Sequence, residues 1–242
     1  MNGDPREIPV QPIPLAFGLK RFAESIAKGQ AKVVAIGSST TAGEGDIAAY
    51  PGRLLSFLQA EYQHANITLS NKGIGGQEAP AELQRFDTDV IAQNPDLVIW
   101  QVGTNAVWQP ADQHPPSFED TTRAIADGLV KLREKTQADV ILMDLQYVPA
   151  VLTPAKKTKA LAMVEAIANL AQQAGANVFR RFAFMQALHE IEHISFDRLV
   201  DPTDNDRLHD SELATQRVAW AVKLAIVDGV KKAQAEAVPK TG

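Results

Sequence analysis

Short apolar runs alternate with amphipathic stretches along most of the chain. Lys32-Val-Val-Ala-Ile-Gly37 reads as a buried strand, an apolar run with β-branched residues closed by glycine. Asn66–Asn71 reads as a second strand and Asp96–Val102 as the clearest of all. Ala138–Asp144 gives a fourth strand and Asn177–Arg180 a short fifth. Between them lie helical periods. Pro51 opens a helix with Leu54, Leu55, Leu58 and Tyr62 on one face. Ala79–Gln93 and Phe118–Lys135 read as helices, and Leu161, Val164, Ala168 and Ala171 fall at helical spacing. A last helix carries the stripe Val218, Val222, Ala225, Ile226 and Val230. At the start, prolines at 5, 9, 12 and 14 make residues 1–15 an extended arm, and a short helix follows over Leu19–Ala27.

Buried strands alternating with helices predict a parallel sheet covered on both faces. Ligands on such sheets bind outside the carboxyl ends of the strands. The loops of interest are therefore Gly37–Asp46, Lys72–Ala79, Gly103–Pro110 and Val148–Pro154.

Composition narrows the chemistry. A hydrophobic share of 45% supports a sizeable core, and a formal net charge of -5 argues against a nucleic-acid surface. With no cysteine, disulfides, thiol catalysis and cysteine-ligated metals are excluded. No apolar run approaches the ~20 residues that cross a bilayer. The first residues lack the apolar core of a signal peptide, although an exported protein with its signal removed would read the same. The expectation is a soluble protein; compartment and oligomeric state are left open.

Three of the loops hold chemically useful residues. The first strand leads to Gly37-Ser38-Ser39-Thr40, where a hydroxyl sits at a strand-to-helix turn. The second leads to Asn71-Lys72-Gly73-Ile74-Gly75-Gly76, whose glycines let backbone approach a ligand. The third leads to Gly103-Thr104-Asn105, an amide at a strand end. Near the end of the chain, Asp206-Arg207-Leu208-His209 puts a carboxylate within one turn of an imidazole. Together these suit acyl transfer: Ser39 attacks an ester carbonyl, and His209, oriented by Asp206, moves the proton. The N–H groups of Ser39 and Gly76 and the Asn105 amide hold the oxyanion. Each residue also has an ordinary use. Ser39 and Asn105 suit helix caps, and Asp201 and Asp204 rival Asp206, at spacings of eight and five residues that suit a single turn less well.

In order and separation, these segments resemble the blocks of the SGNH (GDSL-like) hydrolase superfamily, from about Lys32 to the final helix. Ser39 matches its nucleophile, Gly76 and Asn105 its oxyanion residues, and Asp206 and His209 its Asp-x-x-His. The chain departs from the pattern at Ser38, where Asp is usual, which weakens support for the turn holding Ser39. It departs again at Ala106 and at Asp210. The resemblance implies a three-layer α/β/α fold with a five-stranded parallel sheet in flavodoxin-like order. It makes residues 31–242 the hydrolase domain and residues 1–30 an arm and short helix. It implies a serine esterase that needs no cofactor or metal and acts on a small-molecule or carbohydrate ester, small acyl groups such as acetyl being favoured. Lipase- or thioesterase-like members share the pattern. Trp108, three residues past Asn105, is placed to bind substrate, and Tyr147 with Val148–Leu152 offers another wall.

A competing motif is His189-Glu190-Ile191-Glu192-His193, which fits the zinc-peptidase pattern if it lies on a helix. The extended version would need Gly and His where Phe196 and Leu199 stand. His64 and His114 lie in polar surroundings and read as surface residues. A Gly-x-Ser-x-Gly elbow, a P-loop and a Gly-x-Gly-x-x-Gly fingerprint are all missing from the sequence.

Overall fold

A computed structural model describes residues 10–43 and 45–237. The chain enters through helix α1 (Lys20–Ala27) and strand β1 (Gln30–Gly37), then a single helical turn, α2 (Ser39–Ala42), and helix α3 (Tyr50–Glu61). Strand β2 (Asn66–Gly73) leads to α4 (Ala79–Gln84) and α5 (Phe86–Asp89). Strand β3 (Leu97–Gln101) is followed by α6 (Thr104–Trp108) and the long α7 (Phe118–Lys135). Strand β4 (Asp139–Met143), α8 (Pro149–Leu152), α9 (Lys157–Ala174) and β5 (Asn177–Phe179) come next. The described chain closes with α10 (Arg181–Glu190), α11 (Phe196–Leu199) and α12 (Glu212–Ala237).

The five strands are parallel, in the order β2-β1-β3-β4-β5, as expected. Central strand β3 is buried along its whole length, which explains its unbroken apolar sequence. Strand β2 at the edge is only partly covered, and its sequence is correspondingly polar. The order reverses between β1 and β3, and the crevice for a ligand opens there, above Gly37 and Gln101. Short helix α1 belongs to the same core: Leu19 and Phe22 are fully buried, and Leu19 N–H donates to Gly229 O of α12 at 2.9 Å. Pro12 and Pro14 precede it in chain without regular secondary structure, and Pro5 and Pro9 of the expected arm lie outside the described residues. Among the described residues no helix is long and apolar enough to cross a membrane.

One helical expectation needs correction, and one helix has no counterpart among the expected elements. Ala79–Gln93 is not one helix but α4, α5 and a 3₁₀ turn, Ile91–Gln93. The break falls at Arg85, whose guanidinium bonds Gln77 Oε1 at 2.8 Å and Asp89 Oδ2 at 2.6 Å. The bend also seats Phe86 edge-on against Trp100, with ring centroids 4.7 Å apart. Helix α10 has no strong polar–apolar period to read. Phe182, Phe184, Met185, Leu188 and even Arg181 are buried, so apolar residues run around much of its circumference.

Several acids are drawn into the interior with the strands. Asp139 accepts from Phe22 N–H at 2.9 Å, and Asp144 from Phe182 N–H at 2.8 Å. Burial pushes their carboxyls up to about 6 and about 7, against the pull of these N–H groups.

One close contact fixes the packing of α7 on the sheet. A Cβ added at Gly128 would lie 2.4 Å from the Trp100 ring and 3.2 Å from Phe86. Ala is favoured over Gly within a helix by about 1 kcal/mol, but overpacking a core costs about 1–3 kcal/mol. Trp100 is fully buried and held by a 2.7 Å bond from its Nε1 to Glu82, so the clash dominates. Gly128→Ala is expected to lower the unfolding free energy in urea by about 1–2 kcal/mol. Unchanged or raised stability would mean that the Trp100 ring yields.

Candidate active site

The site begins where β1 stops. Ser38 is extended and Ser39 opens α2, nearly buried at 7% exposure. The turn is fastened from the neighbouring strand. Gln101 Oε1, at the end of β3, accepts from Ser38 N–H at 3.0 Å, Ser38 Oγ at 3.0 Å and Thr41 Oγ1 at 3.2 Å. Ser38 therefore does not leave the turn weakly held, as its place in the sequence suggested; the support comes across the sheet. Asn71 adds a second clasp, donating from Nδ2 to Thr41 O at 2.7 Å and accepting Gly73 N–H at 2.9 Å.

The loop before α12 brings His209 to this turn. His209 Nε2 lies 3.1 Å from Ser39 Oγ, and Nδ1 lies 3.0 Å from Asp204 Oδ2. With its proton on Nδ1, the ring donates to the carboxylate and accepts from the serine hydroxyl. The carboxylate on His209 is thus Asp204, not Asp206 as the three-residue spacing predicted. The loop wraps around the Asp204 side chain: Oδ1 accepts from Asp206 N–H at 3.0 Å, and Oδ2 from Leu208 N–H at 2.8 Å and His209 N–H at 2.7 Å. Asp206 is exposed on the outside of that turn and contributes its backbone N–H. Arg207, at φ 55°, turns the chain back towards the imidazole. Asp201, the other rival, caps Thr203 through N–H and Oγ1, both at 2.8 Å. Burial pushes the Asp204 carboxyl up. The N–H groups of His209, Leu208 and Asp206, and then the His209 ring, outweigh it and hold the carboxyl below its ordinary range.

The two remaining loops meet over Ser39. A Cβ on Gly75 would stand 4.0 Å from Ser39 Cβ, an ordinary contact distance, so this backbone lies directly beside the nucleophile. Gly76, at φ 76°, has its carbonyl held by Gln109 Nε2 at 3.0 Å. Among the described residues, the N–H groups of Ser39 and Gly76 donate to no protein acceptor. Asn105 is buried and donates one amide hydrogen to Gln77 O at 2.7 Å, leaving its second N–H for a ligand.

Three buried polar residues tie these loops together and carry no pattern that the sequence made visible. Gln101 is one. Glu78 Oε1 accepts from Gly103 N–H at 2.7 Å, and Oε2 from Ala106 N–H at 3.2 Å. Gln146 Oε1 accepts from Thr104 Oγ1 at 2.8 Å and Arg181 Nη2 at 2.6 Å, while its Nε2 donates to Leu208 O at 3.3 Å. Asp210 follows His209 into the interior. Burial pushes its carboxyl up to about 6, although the Arg181 guanidinium pulls the other way.

Beside Ser39 and His209 lies a small cavity of about 20 Å³, walled by Thr40, Gly43, Ile47, Ala49 and Thr215. Larger hollows of about 270 and 280 Å³ lie at the opposite, N-terminal ends of the strands and touch neither Ser39, His209 and Asp204 nor Gly76 and Asn105. Trp108 ends α6, half-buried, with its carbonyl bonded to Lys156 Nζ at 2.7 Å. Tyr147 does not line the crevice. Its ring packs on Phe182 and Phe196, and its hydroxyl donates to Glu190 Oε1 at 3.0 Å.

The zinc motif is not assembled as its spacing suggested. Helix α10 stops at Glu190, and His193 follows at φ 55°, so the two histidines do not share a helical face. His189 stacks on Phe196 with centroids 3.9 Å apart, and its Nδ1 lies 2.9 Å from Ile194 O. His64 and His114 are exposed.

Comparison with known proteins agrees with this architecture. An acetylxylan esterase of Geobacillus stearothermophilus is 37% identical over 132 residues, a stretch covering 48% of this chain and 60% of that relative. The chain thus matches less than two thirds of the relative's length. The crystal structure of Axe2, an acetylxylan esterase from Geobacillus stearothermophilus, superposes with a TM-score of 0.65 at 24% identity, covering 81% of this chain and 94% of that one. LAE5, an alpha/beta hydrolase enzyme from the metagenome of Lake Arreo, Spain, gives 0.69 at 22% identity, over 82% and 95%. These structures share the fold. Variants of Axe2 at a serine, an aspartate and a histidine are known as catalytic mutants of that enzyme, the aspartate three residues before the histidine. The sequence profile of the Non-GDSL lipase-like family matches residues 6–232, and the chain belongs to that family.

Proposed function

We propose that the protein is a serine esterase of the SGNH kind that removes small acyl groups, acetyl above all, from a carbohydrate. The observation that carries this reading is the continuous path Ser39 Oγ–His209–Asp204, with bonds of 3.1 and 3.0 Å, beside loops whose Ser39 and Gly76 N–H groups have no acceptor among the described residues. Ser39 Oγ attacks the ester carbonyl as its proton passes to His209 Nε2. The carbonyl oxygen becomes an oxyanion held by the N–H groups of Ser39 and Gly76 and by the second N–H of Asn105. Collapse expels the alcohol, which leaves with the proton from Nε2. Water then attacks the acyl-enzyme by the same route, releasing the acid and restoring Ser39. Asp204 keeps the ring in the Nδ1–H tautomer and stabilises the imidazolium.

Two observations support a small acyl group on a sugar. The cavity beside Ser39, about 20 Å³, has room for little more than a methyl-sized group, since ~10–15 Å³ already holds one water. The relative that is 37% identical is named an acetylxylan esterase.

A series of p-nitrophenyl esters of increasing chain length, together with acetylated xylo-oligosaccharides, tests the reading. Acetyl release is expected to be fastest. Ser39→Ala should abolish turnover and labelling by a fluorophosphonate. Hydrolysis that survives Ser39→Ala would overturn the assignment, and preference for long chains would favour a lipase-like enzyme.

The choice of acid is testable separately, because the three-residue spacing in Axe2 corresponds to Asp206 here, whereas the bond is made by Asp204. Asp204→Asn is expected to lower kcat by about 1,000-fold or more, as loss of the charge beside a triad histidine does. Asp206→Asn should stay within about twofold of the parent. The reverse pattern would assign the acid to Asp206.

A further inference from the structure

The carboxylate of Glu78 takes no part in the proton transfers above, yet it is buried at the edge of the crevice, 4% exposed. It projects from the N-cap of α4, two residues beyond Gly76. Oε1 accepts from Ala79 N–H of its own helix at 2.9 Å and from Gly103 N–H at 2.7 Å. Oε2 accepts from Ala106 N–H at 3.2 Å. Gly103 and Ala106 bracket Asn105, and Asn105 donates to the carbonyl of Gln77, the residue just before Glu78. Segment 76–78 therefore grips the turn at 103–106 twice: a main-chain carbonyl orients the amide, and a carboxylate fixes the backbone beneath it.

An acid is costly to bury, and an apolar side chain would fill the same space. It would leave the N–H groups of Gly103 and Ala106 without their acceptor. The turn's other side-chain ties, Thr104 Oγ1 to Gln146 Oε1 at 2.8 Å and Asn105 Nδ2 to Gln77 O at 2.7 Å, leave those two main-chain N–H groups to Glu78. Gly103 sits at φ 95°, and Ala106 has no polar side chain to tie it. An oxyanion donor displaced by about 1 Å loses on the order of 100-fold in rate, so the acceptor beneath Asn105 bears directly on turnover.

We propose that Glu78 is the positioning residue of the oxyanion hole, holding the Gly103–Ala106 turn so that the second Asn105 N–H meets the transition-state oxygen. The proposal rests on the esterase reading given above. It makes Glu78 act through Asn105, a dependence that a residue serving stability alone does not show.

The test compares the parent, Glu78→Gln, Asn105→Ala and the double variant, with kcat and KM for p-nitrophenyl acetate. Glu78→Gln keeps the size but turns an NH₂ group towards N–H donors. It should lower kcat by about 10-fold or more with KM within about twofold, while the double variant is at most about twofold slower than Asn105→Ala alone. An unchanged kcat in Glu78→Gln, or losses that multiply in the double variant, would overturn the proposal. A second measurement needs no variant. Amide hydrogen exchange in the parent should show Gly103 and Ala106 as protected as the strand amides, and rapid exchange at both would overturn it equally. A parent that neither hydrolyses the ester nor reacts with a fluorophosphonate would instead overturn the esterase reading, and this proposal with it.

Discussion

Buried polar groups at the carboxyl edge of the sheet must find partners, and that constraint shapes the whole crevice. Ser38 and Gln101 are buried where β1 and β3 end, and the loops leaving the sheet satisfy several of their N–H groups with side chains borrowed from other elements. Gln101 of β3 serves the turn after β1. Glu78, after β2, serves the turn after β3. Gln146, after β4, links that turn to the loop before α12. Asp204 serves its own loop and also faces the imidazole. Each acceptor takes two or more hydrogens, so none of these loops can move without breaking bonds in its neighbour.

The sheet gives this arrangement its footing. Register pairs Ile36 with both Lys72 and Trp100, so β1, β2 and β3 deliver their loops at nearly the same height. The fully buried aromatic and aliphatic side chains beneath, Trp100 and Tyr50 among them, hold the strand ends rigid. Chemistry on loops then acquires the precision of chemistry on strands.

Much of this was legible in the sequence, for a physical reason. Strands covered on both faces must be continuously apolar, and the residues just past them are set apart by their chemistry, which made Ser39, Gly76, Asn105 and His209 readable as one crevice. What stayed hidden depends on direction or on distant partners. Spacing favoured Asp206 because three residues make a turn, but the loop folds with Asp204 inside it and Asp206 outside. Glu78, Gln101 and Gln146 act on residues 25, 63 and 62 positions away, and nothing local marks them. The break at Arg85 arises from bonds to Gln77 and Asp89 that no helical period reports.

The acids drawn inside with the strands make folding a proton-uptake reaction. Asp139 and Asp144, raised by burial to about 6 and about 7, and Asp210, raised to about 6, hold their protons in the native chain at a pH where the unfolded chain, near ~3.9, has released them. Between those limits the native state binds more protons than the unfolded one, so the contribution of these acids to stability falls as pH climbs from about 4 to about 7. The lowered carboxyl of Asp204 works in the opposite sense, its contribution disappearing as the solution is acidified through its folded range. The scaffold's buried acids thus favour a mildly acidic medium, while the carboxylate beside His209 sets a floor beneath it.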